Sequence, residues 1–477
     1  MNPVFRIALH EMQTRLRAPG VRGIGVFLGL LLAFCLVAGR ADYQKATRER
    51  AAARQAMRAF FLGQGAQNPH SAVHYGHYVF KPHSLLTVVD PGIEPFVGVT
   101  LQLEGHTQND VQFAPAERRS SLVRFGQLSF TVLWQVVLPL LLIFLAHSAI
   151  VSERQAGTLK LLVAQGVSVR RVLWGKVLGY GGLMLGMLAA SGLALALALL
   201  QAGQPAEYRP ELLGRLACLL GCYAFYYGVV ITGTVYASAR LAAPGQVLVL
   251  LLSGWFLLTI LLPRLAVSVG DQAVALPSKL AFETELAAAY KQGLNGHDPN
   301  DARAQRFQDS LLAHYGARAL EALPVNADGL LMQADEAYHN RAHDRQQAAL
   351  RHRLAQQDAV AARVALLDPL LAVSHLSQAL AQTDSYHHFR FLHQAEAYRR
   401  WLIRKLNLEM AYGGSKTGDW DWKVKPDYWR SIPDFAYQPP TVGASLRPYR
   451  AELLALLAWG LATALGVHWA AGRLRAS

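Results

Sequence analysis

Six stretches of this 477-residue chain run without Asp, Glu, Lys or Arg for about the length of a membrane crossing, and this constrains the fold more than anything else in it. The stretches are 23–39, 125–152, 177–206, 216–239, 241–263 and 453–472. A bilayer's hydrocarbon core is about 30 Å thick and takes roughly 20 apolar helical residues. With their flanking turns, the expected spans are 23–39, 125–152, 172–206, 212–239, 241–263 and 453–472. A cleaved leader competes for the first stretch. Against it stand the long charged segment that precedes it and the mediocre cleavage site Val37-Ala38-Gly39.

Composition fits such a mixture of spans and polar parts. Hydrophobic residues make up 52% of the chain and charged residues 16%, which is too apolar for an ordinary soluble enzyme. A net charge of +14 would suggest nucleic acid, but its placement argues otherwise. Residues 1–22, 153–176, Arg240 and 473–477 form alternate connections between spans. They hold 12 basic residues against Glu11 and Glu153, a net +10. The positive-inside rule puts that set in the cytoplasm, with both termini. The charge then reports topology and contact with anionic lipids. No basic stripe with interleaved aromatics marks a nucleic-acid partner. Cys35, Cys218 and Cys222 all lie in apolar runs, which excludes a disulfide scaffold and a cysteine-based zinc site.

The long connections 40–124 and 264–451 then lie outside, since long loops translocate largely regardless of charge. The first opens with a polar helical stretch over 42–61 and continues with short strands or extended pieces near 85–89 and 97–103. The second reads as helices over 277–292, 301–323, 328–364, 370–380 and 388–410. Asn295-Gly296, Pro324, Asp368-Pro369 and Thr383-Asp384-Ser385 break them. Residues 413–440 read as an extended aromatic and proline-rich tail. The expected class is a mainly α membrane protein with six spans and a large, mostly helical outer domain.

The stretch with chemistry to offer is 153–176. A span ends, the chain breaks, a short amphipathic helix follows, and a new span begins. Ser152 and Gln155 fit a capping box, Gly157-Thr158 fit a break with an N-cap, and Ser168 can cap the third span. The apolar face Leu159, Leu162 and Val163 can lie against the bilayer or a partner's groove. A short helix held between two membrane helices can pass force from a cytoplasmic motor into the membrane.

Glu153-x-x-x-Gly157-Thr158-Leu159-x-x-Leu162, followed by Ser168-x-Arg170 and Gly175-Lys176, resembles the coupling-helix region of ABC-2 type transporter permeases. Residues 5–23 resemble the interfacial elbow helix of those proteins. The large outer insert between spans 5 and 6, with its closing pattern Tyr428-Trp429-Arg430-Ser431-Ile432-Pro433, resembles a bacterial subfamily. That group is related to the copper-maturation permeases of nitrous-oxide reductase. Gly166 and Lys160 depart from it, standing where the family often has proline and an acidic residue.

The resemblance implies a type V exporter-like permease subunit in the bacterial inner membrane, not an enzyme. Its site residues would be Glu153, Gly157, Thr158, Leu159, Leu162, Arg170, Arg171 and Lys176, at or beside the groove of a separate ATPase. That partner would hold ATP and Mg2+, with no cofactor on this chain. A second copy or a related permease would complete the pathway, and a periplasmic partner could meet the outer domain. Gly179, Gly182 and Gly186 would allow close packing of span 3.

The remaining signals are weaker. Gly413 to Gly418 mimics a phosphate loop, but Ser415 precedes Lys416 where glycine is needed. His10-Glu11 begins a zinc-protease motif that Thr14 ends. His147, Tyr223 and Tyr227 are pathway candidates, as polar groups within spans. Fourteen of the 17 histidines are in the outer segments. His339 and His343 with Glu336, and His387, His388 with His393, share helix faces. A solvated polar face is the reading adopted for them, so no metal ligand is assigned. A membrane-anchored periplasmic assembly protein is the alternative function. A lipid- or glycan-processing enzyme would need a catalytic spacing that is absent.

Overall fold

The computed structural model describes residues 2–74, 77–114, 129–202, 208–298 and 300–474. The expected start of span 2, the end of span 3 and most of the C-terminal tail fall outside these residues. The fold class is as expected: mainly α, with six helical segments long and apolar enough to cross a membrane. These are Pro19–Leu62, Phe130–Gln155, Val169–Leu200, Arg209–Arg240, Pro244–Ala273 and Val442–Arg473.

An amphipathic helix, Pro3–Arg17, precedes them. Asn2 caps it through a bond from the Val4 amide, and extended backbone at Ala18 ends it. The next helix starts at Pro19, a residue suited to a first turn because its missing N–H is no loss there. This helix does not stop where the apolar run ends at Gly39. It runs 44 residues to Leu62, about 66 Å at 1.5 Å per residue. The polar helix expected over 42–61 is therefore a continuation of the span 1 helix, because Ala, Arg, Gln and Glu extend the helix that the apolar run begins.

Span 2 is interrupted. Its helix contains a wide turn at Leu133–Val137, continues through Leu138–Ala146, then turns before Val151–Gln155. Ser152 lies inside that last piece and caps nothing. The amides of Ile150 and Val151 are bonded instead by Ser238 Oγ of span 4, at 3.0 and 3.2 Å. Span 5 continues past Pro263 to Ala273 with a similar wide turn at Leu257–Leu261.

The two long connections fold together. Strands His77–Phe80 and Thr100–Leu103 pair antiparallel, with Val79 opposite Leu101. Residues Leu85–Val88, read as a strand, form a 3-10 turn capped by Ser84, whose side chain accepts from the Leu86 amide. The helices of the second insert are Lys279–Tyr290, Ala302–Tyr315, Ala327–Ala365, Pro369–Ala381 and Ser385–Tyr412. Buried Arg399 of the last helix ties it to Ala327–Ala365 and to the first connection, donating to Glu336 Oε1 at 2.7 Å, to Glu396 Oε2 at 2.7 Å and to the Glu104 carbonyl at 3.0 Å. Trp429 of the tail is fully buried against Phe61, Leu402 and Leu406.

Pro369–Ala381 is the helix whose place the sequence conceals. Leu370, Val373, Leu376 and Leu380 are buried in the same core as spans 2, 3 and 4. Tyr223 of span 4 donates to Ser377 Oγ at 3.0 Å. Arg215, fully buried on span 4, donates to Ser445 Oγ at 3.1 Å and to the Pro440 carbonyl. The large helical domain is thus socketed into the bundle rather than resting on it. Where these parts meet, burial pushes the carboxyls of Asp90 and Asp368 up to about 6.

Candidate functional site

At the end of the bundle opposite the large domain, the sequence dictates a rigid step. Gly157 takes a left-handed backbone, φ 73°, which a side chain would resist. It serves as the N-cap of the helix Thr158–Ala164. Thr158 is the first helical residue, and its Oγ1 donates to the Glu153 carbonyl at 3.1 Å. At the other end Gly166, φ 85°, closes a Schellman motif. The Val167 amide reaches the Leu162 carbonyl at 3.1 Å and the Gly166 amide reaches Val163 at 2.9 Å. Ser168 then starts span 3 as N-cap, without a side-chain bond.

The short helix is pinned from inside. Leu159, expected on an outward apolar face, is 1% exposed and belongs to the main core, with Leu162 half-buried beside it. The surface left open is Thr158, Lys160, Leu161 and Ala164, with Leu161 63% exposed. This follows from helix geometry: a seven-residue helix that buries Leu159 turns residues 160, 161 and 164 outward.

Charges brace the step. Lys176 on span 3 donates to Glu11 Oε2 of the N-terminal helix at 2.6 Å and also pairs with Glu153. Glu11 further accepts from Arg15 at 2.9 Å, and Arg15 donates to the Tyr180 hydroxyl at 2.7 Å. Burial alone would raise the Glu11 carboxyl. Lys176, with Tyr180 and Arg15, outweighs burial and holds it down at about 2. The N-terminal helix can approach this closely because span 3 presents glycines. A Cβ on Gly175 would stand 2.6 Å from Ile7, on Gly179 2.8 Å from Glu11, and on Gly182 2.7 Å from Met12 Sδ. Two of the three glycines expected to permit close packing do so, against the N-terminal helix. Gly186 has nothing within 4 Å.

A second brace runs to spans 4 and 5. Arg154 donates to the Ala239 carbonyl at 3.1 Å and to the Leu241 carbonyl, and Gln155 to Ala242 at 3.0 Å. Displacing the Glu153–Ala164 step therefore pulls on spans 2, 3, 4 and 5 and on the N-terminal helix together. Arg170 and Arg171 are exposed in the first turn of span 3. Sequence reasoning missed the roles of Glu11, Arg15 and Tyr180, and quoted Gly175 only as part of a motif. The charge of Glu11, the one acid in residues 1–22, was the one available signal.

The pathway candidates are engaged within the chain. Tyr223 and Tyr227 are buried; Tyr223 OH accepts from Gln135 at 2.8 Å and Tyr227 donates to the Trp134 carbonyl at 2.9 Å. His147 caps the end of Leu138–Ala146, its Nδ1 2.8 Å from the Phe144 carbonyl.

The outer histidines group differently from their sequence spacing. His387 bonds Asp384 and, at 3.0 Å, Ser445 Oγ. Glu336 is taken by Arg399 and by the His106 amide, 2.8 Å away. His339 faces Asp335, not His343, with 3.4 Å between Nδ1 and Oδ1. His70 is buried and driven down to about 4 by that burial, so its ring is neutral.

Comparison with known proteins agrees with the membrane architecture. Residues 279–438 match the family described as domain of unknown function DUF3526. The chain is also 33% identical over 161 residues to a Pseudomonas aeruginosa protein named Probable ABC transporter permease protein NosY. That match takes in 32% of this chain and 56% of the relative, so the chain spans little more than half the relative's length.

Proposed function

We propose that this chain is the transmembrane permease subunit of a bacterial ABC-2 type transporter, set in the inner membrane with both termini cytoplasmic. A separate ATPase subunit binds the open face Lys160, Leu161 and Ala164 beside Glu153, Gly157 and Thr158, with Arg170 and Arg171 at the rim. ATP and Mg2+ belong to that subunit. Nucleotide-driven closure displaces the step and, through Lys176 and Arg154, shifts spans 2 to 5 to export substrate or transmit force outward.

One observation carries the reading. The helix Thr158–Ala164 is bounded by two left-handed glycines and seated in the core by Leu159, and Glu153 just before it pairs with Lys176 of span 3, which also holds Glu11 of the N-terminal helix, so it moves as a unit with the spans. The similarity to a named permease supports it. A second permease copy or related permease has a surface to meet: the apolar window of span 5 is only 6% buried within the chain, the rest facing lipid or that partner. The outer domain would select the substrate or a periplasmic partner.

The test has two arms. Cysteine labelling in intact cells should find position 161 on the cytoplasmic side and position 401 on the other. Purification from native membranes should bring an ABC ATPase with the chain, lost in Glu153→Lys and Leu161→Asp. Labelling of both positions from one side, or full function without an ATPase, would overturn the proposal.

A further inference from the structure

Four imidazoles meet on the outer domain. His70 and His74 are one turn apart on the helix Pro69–His74. His106 follows the second strand, and His297 comes from the loop after Lys279–Tyr290. One ring nitrogen from each lies within 4.8 Å of the others. His70 Nε2 and His74 Nε2 are 3.3 Å apart, and His106 Nε2 and His297 Nε2 are 3.2 Å apart. Ligands about 2.0–2.1 Å from a tetrahedral zinc ion stand roughly 3.3 Å from one another. The two close pairs already have that spacing.

The surroundings prepare the rings to ligate. His70 Nδ1 is 3.0 Å from Asn407 Oδ1, which fixes the proton on Nδ1 and frees the Nε2 lone pair. His106 Nδ1 is 3.4 Å from Asp335 Oδ2, a buried carboxylate in the position that commonly orients a metal-bound imidazole. His106 adopts a left-handed backbone, φ 62°, held by its amide bond to Glu336. Gly105 permits this, since a Cβ there would lie 2.1 Å from Val73. Neither His106 Nδ1 nor Asp335 Oδ1 has a hydrogen bond, although both atoms are buried. His74 and His297 are exposed, which leaves a way in from solvent.

The geometry points to a site for one late first-row divalent cation, zinc or copper(II), held by His70, His74, His106 and His297 with Asp335 behind. Four imidazole nitrogens favour such borderline ions over magnesium or calcium, which take oxygen, and over copper(I), which takes sulfur. Asp335 and His339 form a second trio with His106. Asp335 lies on the Nδ1 side of His106 and holds its proton there, so that ring ligates through Nε2 alone and the site takes one ion. Loading it would clamp the first outer segment to the second insert, whatever the chain transports.

The full-length chain in detergent, stripped with a chelator, should bind one Co2+ with the intense visible bands of tetrahedral coordination. Zn2+ should displace it. His297→Ala and His74→Ala, both on exposed positions, should weaken Zn2+ at least about 100-fold in competition with a chromophoric chelator. His393→Ala should bind as the parent does. Zn2+ should also raise the melting temperature of the parent and not of His297→Ala, which separates ligation from misfolding. Absence of stoichiometric Co2+ binding, or unchanged affinity in both exposed variants, would overturn the assignment.

Discussion

Replacing Lys176 by methionine takes the one ammonium from a place where two carboxylates converge. Lys176 is 8% exposed and Glu11 5% exposed, with 2.6 Å between their charged atoms. Removing one partner of a buried pair costs about 3–5 kcal/mol, because the other charge stays behind without compensation. Glu153 is more open, and its share is closer to the ~1 kcal/mol of a surface pair. Lys176→Met should therefore destabilise by about 4 kcal/mol and Glu11→Gln by about 3 kcal/mol. The double variant should lose less than their sum by about 2–3 kcal/mol, since each change removes the reason for the other's cost. Denaturant unfolding of the purified chain in micelles, at fixed lipid and pH, supplies the four free energies. Lys160→Met, on an exposed residue, should stay within about 0.5 kcal/mol of the parent. Additivity of Glu11 and Lys176 within about 0.5 kcal/mol would refute the claim that the N-terminal helix is fastened through this charge.

Gly179→Val should lower the melting temperature and loosen the N-terminal helix, since a Cβ there meets Glu11 at 2.8 Å and overpacking costs about 1–3 kcal/mol; Gly186→Ala should not. Gly157→Ala should cost about 1–2 kcal/mol for its left-handed backbone and weaken ATPase co-purification more than stability; equal losses in both would contradict the proposed docking face. Asp90 has its carboxyl raised to about 6 against 3.8 when unfolded, so its contribution is present in full below pH about 4 and is lost as pH rises toward 6. Asp90→Asn should match the parent at pH 4 and exceed it by up to about 3 kcal/mol at pH 7. A gap between the two that does not change with pH counts against the buried carboxyl. Arg399→Gln should cost about 3–5 kcal/mol, read as early melting of the outer domain, because Glu336 then stays buried without its cation.

The architecture was readable where a single physical rule acts over a long stretch. Six charge-free runs became six span-length helices, and Pro324, Asp368-Pro369 and Thr383 to Ser385 separated the outer helices as breakers do. The break at Gly157 was visible because only glycine tolerates that backbone. What stayed hidden depends on partners distant in sequence. Leu159 read as outward because its core neighbours come from other spans. Pro369–Ala381 read as an outer helix because the pattern of Leu370, Val373 and Leu376 says that a face is buried, not against what. A count of charges placed the end of span 1 at Arg40, whereas the backbone of a helix is indifferent to where apolar residues give way to polar ones. His297 and His70 are 227 positions apart, a separation no spacing rule bridges.

The unbroken first helix has a mechanical corollary. Its outer tip is hooked to the closing segment of the insert: Arg58 donates to the Ile432 carbonyl at 2.8 Å, and Phe61 meets Trp429 edge-on with ring centres 5.7 Å apart. A rod about 66 Å long that leans by about 5° at its foot carries its tip sideways by about 6 Å. Movements too slight to register within the lipid layer thus arrive magnified at Trp429, with no hinge along the way to absorb them.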